Sequence, residues 1–278
     1  MVHWFSKTDL GTKRENNEDY ALGLPSLGLW VLADGVGGNQ AGEVASQMAC
    51  ESIAEQVKNG SDLPVAIQAA HEKIQKSPKA GVGLLGMATT VVAARVRDGQ
   101  YQIAWVGDSR AYLLRQSGGI TLLTKDHSFV NQLIGIGHLT EEQSLTHPLR
   151  NIITQAVGQE DLAQVAVDSL TGTLQSGDIL LLCSDGLSDS LSDAQIAGAF
   201  VADLELEVVA VHLIQLALEK ESHDNVTVLL IQQQGYGGTN AGHEIPTRAN
   251  VGMFFRRFPW IGIVVPLLLL LWFVMIGN

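Results

Sequence analysis

The chain is 278 residues long, with 17 basic and 29 acidic residues and a formal net charge of -12, enough for one large domain or two small ones around a substantial core. From Gly235 onward Arg248, Arg256 and Arg257 stand against Glu244, a local charge of +2, so residues 1–234 carry -14. Such a surface repels a phosphate backbone, which argues against a nucleic-acid partner and leaves acids free for a cation.

The two cysteines, Cys50 and Cys183, lie in apolar surroundings and are too few for a disulfide framework, so they read as buried free thiols in a reducing compartment. Neither opens a C-x5-R loop, because Gln56 and Asp189 stand six residues on. That argues against a cysteine phosphatase.

In chain order, residues 5–9 and 19–24 read as short strands on either side of a polar loop, and 28–33 as a buried strand. Helices are expected at 41–57, where Val44, Met48, Ile53 and Val57 approximate one face, and at 62–75, capped by Ser61 or Asp62. Strands at 89–96 and 102–106 join through Asp98-Gly99, and strands at 111–115 and 120–123 through Gly118-Gly119. From 125 to about 158 the periodicity weakens, and the segment reads as an insertion over one edge, helical near 129–134. Strands at 164–169 and 179–183, helices at 192–200 and 205–219, and a strand at 226–231 complete the body. Hairpins with paired helices, rather than alternating strand and helix, point to an α+β layered sandwich of antiparallel sheets covered by helices.

A flexible linker at 235–257 ends in the basic pair Arg256 and Arg257, and 258–276 is a run of 19 residues without a charge. That is close to the roughly 20 residues a bilayer core requires, and Trp260 and Trp272 lie toward its ends. The run reads as one transmembrane helix, with the arginines keeping the body in the cytoplasm. The N-terminus is polar and shows no signal peptide. The expectation is a single-pass protein of the cell inner membrane, anchored by its tail.

Four aspartates stand at strand edges: Asp19 where a polar loop enters a strand, Asp34 and Asp185 at the ends of apolar runs, and Asp224 just before the last strand. Carboxylates buried together need cations to compensate them, and oxygen-only ligands favour Mg2+ or Mn2+. Gly35 lets its own carbonyl approach an ion. Arg14 suits the oxygens of a substrate phosphate, or a surface pair with Glu15 or Glu18.

These residues fall in a longer series. Arg14-Glu15-Asn16-Asn17-Glu18-Asp19, Asp34-Gly35-Val36-Gly37-Gly38, Ala88-Thr89-Thr90, Gly107-Asp108-Ser109-Arg110-Ala111-Tyr112, Asp126-His127-Ser128, Ser184-Asp185-Gly186-Leu187 and Asp224-Asn225-Val226-Thr227 follow in order. The series resembles the motifs of the PP2C-type metal-dependent serine/threonine protein phosphatases, over roughly residues 3–232, and is nearest to the compact bacterial members. The resemblance implies a four-layer αββα sandwich of two antiparallel sheets flanked by helices, here with one C-terminal transmembrane helix. The catalytic domain would span 1–234, with a mobile flap at about 128–158.

The resemblance also implies roles. Asp34 would bridge two Mn2+ or Mg2+ ions and the Gly35 carbonyl would hold one of them. Asp185 and Asp224 would complete the protein ligands, with Asp19 or Glu18 acting mainly through waters, and Arg14 would orient the phosphate. Asp126 and Asp189, with Asp185, match positions that bind a third ion in bacterial relatives. Asn225 would position its neighbour, Ser109 would not be a nucleophile, and Asp108 and Arg110 would form a pair or network behind the site. Asn39 replaces a frequent histidine, which leaves the general acid open, and Ala88 replaces a usual glycine; His127 and His223 read as structural.

The implied reaction is in-line attack on phosphorus by a water activated between two cations, with phosphorylated proteins as substrates and a serine/threonine kinase at the membrane as the activity opposed. The competing reading is a catalytically silent scaffold or sensor. Intact acids argue against it, because a silent relative is free to lose them. A haloacid dehalogenase-type phosphatase would need a D-x-D pair after a strand, which is absent.

Overall fold

Runs that are apolar at nearly every position become strands buried on both faces. Residues 29–33, 91–94, 180–183 and 226–231 are buried at every position, as the middle layers of a sandwich require. The computed structural model describes residues 2–36, 41–200 and 204–234. Asn39, the linker at 235–257 and the apolar run at 258–276 lie outside the described residues. Among the described residues no helix is long and apolar enough to cross a membrane.

The body opens with β1 (Val2–Asp9), β2 (Asp19–Leu24) and β3 (Leu29–Val36), then helices α1 (Gly42–Lys58) and α2 (Leu63–Lys76). Strands β4 (Ala88–Thr89), β5 (Val91–Arg97), β6 (Gln100–Val106), β7 (Arg110–Leu114) and β8 (Ile120–Leu122) follow. Short helices α3 (Phe129–Gly135) and α4 (Glu141–Ser144) occupy the insertion. The remaining elements are β9 (Asp168–Thr173), β10 (Ile179–Cys183), α5 (Asp185–Ser188), α6 (Asp193–Gly198), α7 (Leu206–Glu219) and β11 (Val226–Gln233). One antiparallel sheet runs β1-β11-β10-β7-β8; the other runs β2-β3-β5-β6-β9, with β4 paired to the end of β3.

Three apolar layers hold the stack together. Leu29, Val31 and Ala33 of β3 pack with α1 and α2, while Tyr112, Leu181 and Val228 of the other sheet pack with α7. Between the sheets Trp30, Leu32, Val92, Leu180, Leu182, Leu229 and Ile231 meet. Each fully buried side chain of this size contributes roughly 1.5–3 kcal/mol, so the αββα order follows from alternate residues facing opposite layers. The same alternation sets the site. After Trp30 and Leu32, the next inter-sheet position of β3 is Asp34; in the facing sheet the equivalent positions fall on Ser184 and Thr227.

Some expectations shift. The strand expected at 164–169 is found at Asp168–Thr173, because β9 takes its register from β6, with Asp168 opposite Trp105. Val165 is bound instead to α2, its N–H donating to Gln68 Oε1 at 3.2 Å. The first strand extends back to Val2 because β1 pairs with β11 along its whole length. Asp185, expected at a strand end, opens the one-turn helix α5.

Candidate active site

The acids converge where the inter-sheet core ends. Asp19 and Asp34 are direct partners across the β2–β3 ladder, and the two-residue period turns both toward the facing sheet. From that sheet the Ser184 hydroxyl donates to Asp19 Oδ2 at 2.8 Å and accepts the Thr227 N–H at 2.9 Å. Asp185 follows immediately, and Asp224 lies just before β11. Like charges directly opposite on neighbouring strands destabilise a sheet. The fold carries the Asp19–Asp34 pair against its own stability.

Burial pushes Asp34 well above the usual carboxylate range, reinforced by Asp19, Asp185, Asp108 and Asp224. Asp185 is raised by burial too, with Asp108 the strongest of its acidic neighbours. Burial pushes Asp19 up to about 6, against the opposing pull of the nearby Thr227 and of the Ser184 hydroxyl that donates to it. Asp19 Oδ1 and Asp185 Oδ1 are buried with no hydrogen-bond partner. Such oxygens are costly when left alone, and a hard divalent cation satisfies several at once. The residues therefore fit Mn2+ or Mg2+. Asp224 is engaged differently: its Oδ2 accepts from Arg14 Nη2 at 2.6 Å and its Oδ1 from the Asn225 N–H at 2.8 Å. Among the described residues no three acids, imidazoles or thiols form a finished cation cage.

Arg14 pairs with neither Glu15 nor Glu18 but with Asp224, and its side chain is 44% exposed. Glu18 is half-buried, and burial raises its carboxyl. The Gly35 N–H donates to the Glu18 carbonyl at 3.0 Å. A Cβ on Gly35 would lie 2.5 Å from the Gly42 backbone, so glycine is needed there because α1 starts directly against the strand end. Asn225 fixes the loop: its Oδ1 accepts the Glu18 N–H at 2.8 Å, and its Nδ2 donates to the carbonyls of Leu10 and Asn16 at 3.1 and 3.0 Å. That amide group has every strong bond it needs within the protein.

A cleft of about 1070 Å3 opens beside the corner, lined by Asp108, Asp126, Asp185 and Asp189 on one side and by Leu145 and Arg150 of the insertion on the other. Arg110 does not pair with Asp108. Its Nε and Nη2 fork onto Asp126 at 3.0 and 2.7 Å, so Asp126 serves as the counter-ion of Arg110. Asp108 is left among acids and is pushed up to about 7 by burial and by Asp126. Its end-of-strand position after β6 was the available signal, masked in the sequence by the arginine two residues on. Asp189 is exposed and its Oδ2 accepts from Asn151 Nδ2 at 2.8 Å, a link to the insertion.

Ser109 is 1% exposed and hydrogen-bonded to Thr90 at 2.7 Å, out of reach of any substrate. His127 accepts the Gly107 N–H at 3.3 Å and lies 3.4 Å from Asp168. His223 is exposed beside Lys13.

Known proteins place this geometry. The family model described as Protein phosphatase 2C matches residues 12–218. The serine/threonine phosphatase stp of Listeria innocua is 35% identical over 245 residues, covering 84% of this chain and 96% of that protein. The serine/threonine phosphatase PstP/Ppp of Mycobacterium tuberculosis aligns with a TM-score of 0.75 at 36% identity, over 84% of this chain and 99% of that one. The catalytic domain of PstP in complex with two manganese ions aligns with a TM-score of 0.70 at 34% identity, over 83% and 97%. With both sequence and fold matched across the whole body, the chain belongs to the protein phosphatase 2C family.

Proposed function

We propose that the chain removes phosphate from phosphoserine and phosphothreonine in proteins, using Mn2+ or Mg2+ held at the acid corner, at a membrane to which its tail anchors it. The observation that carries this reading is the cross-strand pair of buried Asp19 and half-buried Asp34, with unpartnered buried oxygens on Asp19 and Asp185. Asp34, the Gly35 carbonyl, Asp185 and Asp224 would hold two ions, with Asp19 and Glu18 behind them. Asp126 and Asp189 line the cleft in which a third would bind.

Bound there, such ions supply a water acidic enough to lose its proton near neutral pH and neutralise charge on the phosphoryl oxygens. The chain's own residues supply the rest. Arg14 offers a planar fork to phosphate oxygens at the exposed side of the corner. Asn225 holds the loop that carries Arg14 and Glu18. Apolar walls around Asp34 and Asp185 lower the local dielectric and strengthen each charge contact. Cys50 and Cys183 are buried free thiols and Ser109 is enclosed, so the phosphoryl group goes to water rather than to one of these side chains.

The uncharged run at 258–276 behind Arg256 and Arg257 supports a single-pass anchor in the cell inner membrane, with the body on the cytoplasmic side. Tethering raises effective concentration near membrane partners, which suits opposition to a serine/threonine kinase there.

The test is Mn2+-dependent release of phosphate from a phosphothreonine peptide by the full chain in detergent, beside Asp34→Ala and Asp185→Ala. Activity that both substitutions remove supports the reading. A folded wild type that is inactive with every divalent ion hands the fold to a silent scaffold or sensor. Membrane fractionation with and without residues 258–278 tests the anchor, and a full-length chain that stays soluble sinks it.

A further inference from the structure

The insertion at 128–158 forms one wall of the cleft, yet it has little core of its own. Val130 is buried, as are Ala156 and Val157 at the insertion's far end, but between them Ile136, Leu145, Leu149 and Ile152 are exposed by 66, 69, 40 and 48%. A segment with so few buried apolar contacts is positioned by its two legs. At the base the legs are tied to each other: the Phe129 N–H donates to the Ile152 carbonyl at 2.8 Å and the Thr154 N–H to the His127 carbonyl at 2.7 Å. The outgoing leg meets the body at His127, whose N–H donates to the Gly107 carbonyl at 2.9 Å; the second attachment lies further along the returning leg.

There α2 presents Gln68, His71 and Gln75, which share one helix face. Gln68 Oε1 accepts the Val165 N–H at 3.2 Å, and Gln75 Nε2 donates to the carbonyls of Gln159 and Leu162, each at 2.7 Å. His71, wholly buried, accepts the Gly158 N–H on Nδ1 at 2.9 Å and faces the Leu162 carbonyl with Nε2 at 3.0 Å. A backbone N–H can only donate and a carbonyl can only accept, so the ring is neutral with its proton on Nε2. Gly158 has φ +95°, and a Cβ there would run into the Ile74 side chain of α2, so glycine lets the leg press flat against the helix. One residue earlier, Val157 and Thr89 exchange two backbone hydrogen bonds, at 2.9 and 2.8 Å. Thr89 Oγ1 in turn donates to the Asp34 carbonyl at 2.8 Å.

We propose that His71, at the centre of this polar seam on α2, is a positioning residue for substrate recognition: it pins the returning leg, and through it the wall over the cleft, without touching substrate. The inference rests on the phosphatase reading. A phosphoprotein must pass the wall to reach the corner, whereas a small aryl phosphate does not use it. Loss of the pin therefore raises KM for a peptide selectively.

The experiment compares full-length wild type, His71→Leu, which removes both bonds, and His71→Asn, which keeps an acceptor near the Nδ1 position. Each is assayed with Mn2+ on a phosphothreonine peptide and on p-nitrophenyl phosphate, with hydrogen exchange followed at the Gly158 amide. The expected result is a peptide KM raised about tenfold in His71→Leu, aryl phosphate turnover within about twofold of wild type, faster Gly158 exchange, and recovery in His71→Asn. If His71→Leu does not fold, Gln75→Leu, which removes only the bonds to the Gln159 and Leu162 carbonyls, is expected to show the same split. Equal losses on both substrates, an unchanged peptide KM, or no recovery in His71→Asn would overturn the role of the seam alone. A wild type inactive on both substrates would overturn it together with the phosphatase reading.

Discussion

Strand β10 is flanked by two aspartates with buried carboxylate oxygens, and the two are treated in opposite ways. Asp178, just before Ile179, is 1% exposed and fully partnered. It accepts from Arg115 Nη1 at 2.6 Å and from the backbone N–H groups of Gln116 and Gln175 at 3.1 and 2.9 Å. Asp185, beyond Cys183, keeps Oδ1 buried without a partner, and its neighbours Asp108, Asp224, Asp189 and Asp19 share its sign. Burial alone does not separate a structural acid from a working one. Satisfaction does: a carboxylate whose lone pairs are all taken closes a corner of the fold, and one whose lone pairs are open is held for a ligand.

That contrast can be broken by exchanging losses. Asp34→Ala and Asp185→Ala should each lower Mn2+-dependent phosphate release by about a thousandfold, ~4 kcal/mol of barrier, while the folded state survives; steady-state kinetics beside circular dichroism reads both. Asp178→Ala should do the reverse. It strands two backbone donors and an arginine, so urea unfolding should show a loss of about 3 kcal/mol, with kcat unchanged at temperatures where the protein stays folded. A kcat that falls in step with Asp34→Ala would erase the distinction.

Proton linkage sharpens the contrast further. The folded pKa of Asp19, about 6, lies above the unfolded value of 3.8. Between those values the folded state binds more protons, so in EDTA this group favours folding below pH 3.8 and loses that contribution as pH rises through 6. Asp19→Asn should therefore stabilise the ion-free protein at pH 7.5 by on the order of 2–3 kcal/mol, and the gain should shrink toward pH 5. Thermal melts of both proteins at the two pH values check it; a pH-independent difference would contradict it. The smallest effect belongs to Arg14. Its replacement by Lys keeps the charge but loses the fork, so KM for a phosphopeptide should rise by about tenfold with little change in thermal stability.

Much of this was legible in the residues. Runs such as 29–33, apolar at every position, announced strands covered on both faces, and Asp34 directly after the run announced an acid at the rim of the core. What stayed hidden depended on contacts distant in sequence. The strand at Asp168–Thr173 alternates only weakly because it is a sheet edge, and its register comes from β6. Arg110 could have chosen Asp108 or Asp126, and only the fold brings Asp126 onto its fork. Gln68, His71 and Gln75 are three polar residues on one helix face, which looks the same in sequence whether it meets water or a backbone segment. The extra role of Gly35 was unreadable for a similar reason, since Gly42 meets it only through the packing of α1.

The pairing of β1 with β11, Val2 opposite Gln233, has a consequence for how the protein comes into being. Ser184 reaches Asp19 across 165 residues of chain, and Asp224 reaches Arg14 across 210. Closing a loop of that size costs about 5 kcal/mol of chain entropy before any contact repays it, and such long-range pairing folds slowly. At a synthesis rate of about 5–20 residues per second, β1 waits roughly 10 to 50 s for its partner strand. Until β11 is made the two sheets cannot close around the acid corner, so on the proposed assignment of that corner a nascent or truncated chain would not act on phosphoproteins around the ribosome. On that assignment activity would arrive only with β11.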